Sequence, residues 1–292
     1  MEYSNNIGID LHIHSNASDG TLSPAEILTL AQDLNLGAIA ITDHDTVNGS
    51  KEALGISIPS SLEFLTGIEI SASPPPSFPY SGSLHILGYS IEIDDPLLNK
   101  SLAVLQEARK NRNPGIIDRL NSLGLSLSID ELLNEVGGGQ LGRPHIARFM
   151  VKKGYVESIQ EAFDKYLGKG KPAYLDKYRL DCSKAIEVIL GAGGIPVIAH
   201  PFLLKRNIED IEKLVITLKE MGLKGIEVYY PEHPPHFISQ LADMANRHEL
   251  LMTGGTDFHG SLKPEIKMGS GRGNFFIPYI LYEKLASFKT SA

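Results

Sequence analysis

Residues 9–24 read IDLHIHSNASDGTLSP, and the fold can be argued outward from that stretch. Its beginning lies in an apolar run, IGIDLHIHS (7–15), with the composition of a buried β-strand. Its end, Ser23 to Glu26 with Pro24 between them, has the spacing of a capping box with proline at the first helical position, so a helix starts there. Strand, short loop and helix make one βα unit. Two histidines interrupt the strand, His12 and His14, and two residues apart in extended chain they point to the same face. Asp19 follows in the loop. Ionisable side chains are not expected in a buried strand, so these residues need a reason to be there.

The same signal recurs along the chain. Further apolar runs are AIAITDHDT (38–46), LEFLTGIEIS (62–71), SLHILGYSI (83–91), IPVIAHPFL (195–203), GIEVYY (225–230) and LLMTGGTDFHG (250–260), each read as a buried strand. Helical patterns at 24–36, 208–221 and 235–248 separate several of them, which predicts parallel βα units. Between the fourth and fifth runs the pattern changes: residues 96–190 carry helical periodicity and no convincing strand. Capping-box spacings stand there at Ser128 to Glu131 and Ser158 to Glu161. Breaks are expected at Asn113-Pro114-Gly115, Gly137-Gly138-Gly139 and Gly191 to Gly194. The expectation is an α/β protein with a discontinuous barrel, residues 1–95 and 191–292, and a helical insertion, residues 96–190. The proline-rich stretch SPPPSFPYSG (73–82) reads as a loop near the Glu69 and His85 rim.

Composition narrows the function classes. With 42% hydrophobic and 21% charged residues the chain is an ordinary globular protein. No apolar run reaches the ~20 residues of a membrane span, and the N-terminus MEYSNNIG lacks the regions of a signal peptide, so a cytoplasmic location is expected. The single cysteine, Cys182, excludes an intramolecular disulfide and a multi-cysteine zinc site and reads as a small helix residue. A net charge of −8 argues against stable binding to long nucleic acid, which needs many Lys and Arg contacts. A small anionic substrate is compatible, because divalent cations held by acidic residues make a site locally positive.

The chemistry sits at the strand ends. His12 and His14 come from the first strand, Asp19 from the loop after it, His44 from the second, Glu69 from the third and His85 from the fourth. His200 follows the fifth, and Asp257 and His259 the seventh. In a parallel β/α barrel the C-terminal strand ends and their loops form one rim. A lone histidine of this kind is more often a satisfied core residue. Six histidines and three carboxylates together are different, since without metal they form a costly half-charged cluster that divalent cations would satisfy. Nitrogen and oxygen donors without thiolate suit manganese, iron or zinc.

The order IDLHIHSNASDGTLSP, AITDHDTVNG, GIEIS, LHILGY, IAHP and GGTDFHG resembles the polymerase-and-histidinol-phosphatase (PHP) family. The resemblance implies a distorted seven-stranded β/α barrel with two or three divalent metals, manganese first. It implies that His12, His14, Glu69 and Asp257 hold one metal. Glu69 would bridge to a second, completed by His85 and His200, with Asp19, His44 and His259 holding a third. Paired cations would lower the pKa of a bridging water towards ~7, giving a hydroxide nucleophile; no general acid is assigned.

Within the insertion, LGRPHIARFM (141–150) places Arg143 and His145 around Pro144 at a helix start, a setting that favours an anion. With KYLGKGKPAY (165–174) it resembles the TrpH-like branch of nucleotide and RNA phosphoesterases. That resemblance implies release of the 3′-phosphate from nucleoside 3′,5′-bisphosphates and 5′-to-3′ trimming of short 5′-phosphorylated RNA. Arg143, His145 and Lys171 are candidates to grip the 5′-phosphate, Tyr229 and Tyr230 to flank a base or sugar, and His233 to support a ligand. Asp43 and Asp45 flank His44, and one of them either orients a ligand or handles a proton, or else caps the following helix or turn. Two rivals stand beside this: a histidinol phosphate phosphatase, and a non-catalytic metal-binding accessory module. Protein partners are not legible.

Overall fold

The computed structural model describes residues 7–78, 82–136 and 139–291. The chain runs β1 (Ile9–Ile13), α1 (Pro24–Asp33), β2 (Ala38–Ile41), α2 (Asn48–Leu54), β3 (Glu63–Ser73), β4 (Leu84–Tyr89) and then the long α3 (Pro96–Ser122). Next come α4 (Ile129–Val136), α5 (Arg143–Lys152) and α6 (Ile159–Ala162), which passes into a π-helical turn, Phe163–Leu167. The remainder is β5 (Leu180–Asp181), α7 (Cys182–Gly191), β6 (Ile195–Ile198), α8 (Ile208–Glu220), β7 (Gly225–Tyr229), α9 (Pro235–Arg247), β8 (Leu251–Gly254) and α10 (Ile280–Ser291). The capping box forms as its spacing predicts: the Ser23 hydroxyl accepts from Glu26 N–H at 3.3 Å, and Glu26 Oε2 accepts from Ser23 N–H at 2.8 Å.

The sheet order is β1-β2-β3-β4-β6-β7-β8. A parallel bridge between Ile13 and Phe258 joins its two ends at one rim, leaving a nearly closed seven-stranded barrel. Ile9 and Leu11 of β1 cluster with Leu87 and Tyr89 of β4 and Val197 of β6. Strands that distant in the sheet meet only across the interior, so this cluster fills the barrel. Ile13, by contrast, packs outside with Ile39, Ile41 and Ile27 of α1. The inside–outside alternation therefore slips once in β1, at the register shift between Asp10 and Ile13. A β-bulge of this kind re-aims side chains, and here it turns His12 and His14 inward above the apolar plug.

Four features differ from the sequence reading. β4 pairs antiparallel with both β3 and β6, not parallel. The connection from Ser73 to Leu84 contains no helix among its described residues, so the chain folds straight back. A two-residue strand, β5, lies in the region read as strandless and pairs with the far end of β3. α3 continues through Asn113-Pro114-Gly115. Interior proline costs a helix ~3 kcal/mol, but Ile116, Ile117 and Leu120 are buried in the next turns and Asn113 Nδ2 donates to Leu141 O at 2.7 Å, which holds the continuation in place. Finally, the proline-rich loop starts only after β3 has run to Ser73; its residues 79–81, like Gly137 and Gly138, lie outside the described residues.

The helical segment has a core of its own, in which Ile116, Leu120, Leu132, Ile146, Phe149, Met150 and Leu167 meet. Leu98, Leu102 and Leu105 of α3, and Cys182, Ala185 and Ile189 of α7, pack instead with the strands and α8. α3 thus spans both cores.

Candidate metal centre

All nine strand-end residues converge. Oxygen and nitrogen atoms of His12, His14, Glu69 and Asp257 lie within 4.8 Å of one another, as do those of His14, Asp19, His44 and His259, and of His44, Glu69 and His85. Glu69 is fully buried at the middle. Its Oε1 is 2.6 Å from His85 Nδ1 and 2.8 Å from His200 Nε2, and its Oε2 is 2.8 Å from His44 Nδ1. His85 stands at the beginning of β4, not at its end. It reaches the common rim because β4 runs backwards, so the reversal the sequence did not reveal is what brings this histidine in.

Backbone geometry at the rim is unusual. Asp45 and Asp257 have φ of 55° and His200 29°, left-handed values that cost a non-glycine residue ~1–3 kcal/mol. Buried hydrogen bonds hold them. Asp45 accepts from Ser71 N–H at 2.7 Å and from Ser71 Oγ at 2.9 Å. Tyr230 Oη donates to Asp257 Oδ2 at 3.2 Å. Glu227 Oε2 accepts from His200 N–H at 2.6 Å, while its Oε1 accepts from His12 Nδ1–H at 2.8 Å. That second bond fixes the tautomer of His12 and presents Nε2 to Glu69 and Asp257, 3.5 Å from each. His259 is oriented likewise: Nδ1–H donates to the Asp257 carbonyl at 2.6 Å, and Nε2 faces Asp19 at 3.4 Å.

These donors fit divalent cations. His12 Nε2, His14 Nε2, Asp19 Oδ1, His44 Nδ1 and Glu69 Oε2 are buried and make no hydrogen bond. Buried polar atoms left without hydrogen bonds at such density are costly unless a cation takes them. Burial pulls the His14 imidazole down, yet Asp257 at 3.0 Å and Glu69 at 3.3 Å prevail and hold its pKa up to about 10. His85, which burial dominates, is pushed down to about 3.

Several contributors were not singled out from sequence. Glu227 is one, although a carboxylate inside GIEVYY carries the same signal as Glu69 inside GIEIS. Asp10 is another: it accepts from Thr256 N–H at 2.9 Å and Gly269 N–H at 2.9 Å, tying β1 to the chain after β8. Asp43 and Asp45, whose roles the sequence left open, both fasten loops. Asp43 accepts from Ser15 N–H at 2.8 Å and Ser18 Oγ at 2.5 Å, holding the segment that carries Asp19. Lys177 Nζ donates to Ser71 Oγ at 2.6 Å beside His85, with burial lowering its pKa to about 7. Lys263 Nζ donates to Asp257 Oδ2 at 2.7 Å.

A cleft of about 780 Å³ opens over the cluster, between the rim and the insertion. Arg109, Arg112 and Arg143 line its insertion wall. Arg143 NH1 donates to Leu167 O at 2.9 Å and its guanidinium lies 5.7 Å from the Phe163 ring centre and 5.2 Å from that of Tyr174. The π-helical turn thus positions this arginine at the cleft. Other candidates sit elsewhere. His145 is buried and its Nδ1 accepts from Gly142 N–H at 3.1 Å, closing the start of α5. Lys171 is exposed and outside the cleft lining. Tyr229 is half-buried and packs on the core, and Tyr230 is buried with its ring 5.4 Å from His200. His233 donates Nδ1–H to Val228 O at 2.9 Å and packs 5.2 Å from the Tyr230 ring, behind the cluster.

Comparison with known proteins follows the same lines. The model of the PHP domain matches residues 10–221. The chain is 33% identical to a 3′,5′-nucleoside bisphosphate phosphatase of Chromobacterium violaceum, over 86% of this chain and 87% of that one. It is also 33% identical to the 5′-3′ exoribonuclease Rnm of Escherichia coli, over 89% and 87% respectively. Among solved structures, a protein of Bifidobacterium adolescentis expected to be a metal-dependent phosphoesterase superposes with a TM-score of 0.85 at 30% identity, covering 97% of this chain and 96% of the other. No helix among the described residues is long and apolar enough to cross a membrane.

Proposed function

The chain belongs to the PHP domain family, and on that premise we propose that it is a metal-dependent phosphoesterase that removes the 3′-phosphate of nucleoside 3′,5′-bisphosphates. The same site would trim short 5′-phosphorylated RNA from its 5′ end, as the name of the Escherichia coli relative suggests. The observation that carries this reading is the buried convergence of six histidines and three carboxylates beneath a cleft whose opposite wall bears three arginines.

His12, His14, Glu69 and Asp257 would hold one divalent cation, Glu69, His85 and His200 a second, and Asp19, His44 and His259 a third, with manganese the first choice. Bound there, such cations polarise a phosphoryl oxygen and lower the pKa of water at neutral pH. The chain's own residues supply the rest. Glu227 orients His12, and Lys263 and Tyr230 hold Asp257. Arg143, helped by Arg109 and Arg112, would take the terminal 5′-phosphate, since a guanidinium matches phosphate oxygens in geometry and charge. Gripping that end on the insertion leaves the neighbouring 3′-phosphoester over the carboxylate and imidazole cluster. The residues 96–190 would then act as the substrate-capping part.

Phosphate release from adenosine 3′,5′-bisphosphate and from histidinol phosphate, with manganese present, tests the assignment. Turnover of the bisphosphate and not of histidinol phosphate is expected. The reverse preference would make the chain a histidinol phosphate phosphatase, and no turnover of either would favour an accessory role.

A further inference from the structure

Gln140 lies in the helical insertion, yet among the described residues its hydrogen bonds go to two loops of the barrel. Its backbone N–H donates to Ala17 O at 3.2 Å. Its side-chain Nε2 faces His44 O at 3.2 Å and Asp45 O at 3.4 Å. Two carbonyl oxygens on one side of the amide require nitrogen there, so the orientation of the group follows from its partners. Oε1, on the other side, is buried without a hydrogen bond.

The two loops are those that carry Asp19 and His44. Ala17 is two residues from Asp19, and His44 itself supplies one of the carbonyls. Of the three groups of clustered donors, only one contains both residues: His14, Asp19, His44 and His259. Among the described residues, the remaining hydrogen bonds from the insertion to this corner reach Asp45 alone. Gln106 Nε2 donates to Asp45 O at 2.9 Å, and Arg109 NH2 to Asp45 Oδ2 at 2.5 Å. Asp45 has φ of 55°, a conformation that persists only when its surroundings hold it. Among the described residues Gln140 therefore bridges both ligand-bearing loops, and it does so from outside the barrel.

We infer that Gln140 is a positioning residue through which the insertion sets the spacing of Asp19 and His44 and so the occupancy of the third metal position. This rests on the metal-dependent reading above, and the test separates the two. Metal-free protein is dialysed against graded manganese and bound metal is counted by elemental analysis, with circular dichroism and the thermal midpoint of the metal-free protein as controls on the fold. Wild type is expected to take three equivalents. Gln140→Leu, which keeps the bulk but has no donor, and Gln140→Ala should keep two at wild-type affinity and bind the third about 10-fold or more weakly, in the range seen when partners that orient ligands are removed. Gln106→Ala, which loosens Asp45 without touching the link to Ala17, should keep all three. The inference is overturned if the Gln140 variants bind the third equivalent as wild type does, if all equivalents weaken alike, or if Gln106→Ala loses the third while they keep it. Wild type binding two equivalents would overturn this inference alone, whereas wild type binding none would overturn the metal-dependent reading with it.

Discussion

Glu69 touches three histidines at under 3 Å and has no water-exposed surface, so at the scale of single residues it is the group on which the cluster depends. Glu69→Gln should leave the fold intact and abolish turnover, because an amide cannot neutralise two cations; near-normal activity of the folded variant would contradict the assignment. Glu227→Gln leaves one acceptor oxygen where His12 Nδ1–H and His200 N–H both donate, and an accompanying 10- to 100-fold loss of metal affinity, read by equilibrium dialysis, is the expected cost. The carboxylates around His14 hold its pKa up near 10 against the pull of burial. A cation can take Nε2 only after that proton leaves, so loading should release protons and affinity should fall as pH falls. Calorimetric titrations in two buffers of different ionisation heat should then give different apparent heats, and identical heats would show no proton release. The nine clustered residues were legible because ionisable groups within or just after apolar strands are costly to bury and are rarely kept there without a partner or a ligand. Glu227 carried the same mark, but its partner His12 is 215 positions away in sequence. Gln140, a neutral side chain in an insertion, carried no mark at all.

Elements were legible in kind and less so in direction. Seven apolar runs became seven barrel strands, because burial on both faces demands near-continuous apolar sequence. Nothing in such a run says which way it points. The missing helix between β3 and β4 was the available clue to the reversal of β4. β5, at two residues, is too short for any periodicity. Pro114 misled the reading of α3 because local propensity was weighed without the burial of Ile116, Ile117 and Leu120, which lies in the tertiary structure. Two substitutions follow from these elements. Ser23→Ala removes a well-formed capping box and should lower stability by about 1 kcal/mol, measured by urea unfolding. Pro114→Ala restores a helical N–H but frees the unfolded chain, so a net gain of about 1–2 kcal/mol is expected; a loss would mean that the proline shapes the passage of α3 between the two cores.

At the scale of the whole molecule, an acidic chain of net charge −8 presents a cleft with Arg109, Arg112, Arg143, Lys177 and Lys263 in its lining. The charge suits a short anionic substrate held at both ends and not a long polyanion. Division of labour between insertion and barrel predicts a selective defect. Arg143→Ala should slow hydrolysis of a 3′,5′-bisphosphate by roughly 10- to 150-fold, equivalent to ~1.5–3 kcal/mol, yet scarcely alter a 3′-monophosphate, which has no 5′-phosphate to hold. Equal loss on both would assign this arginine to the reacting phosphate or to the packing of Phe163 and Tyr174. The central claim is that the cluster directs metal-dependent attack at the 3′-phosphate, and product analysis tests it most directly. Protein stripped of metal and reloaded with manganese is incubated with adenosine 3′,5′-bisphosphate, and the products are separated by chromatography. Adenosine 5′-monophosphate and phosphate, formed only by the reloaded protein, are the predicted result; adenosine 3′-monophosphate, or equal turnover by the stripped protein, would contradict it.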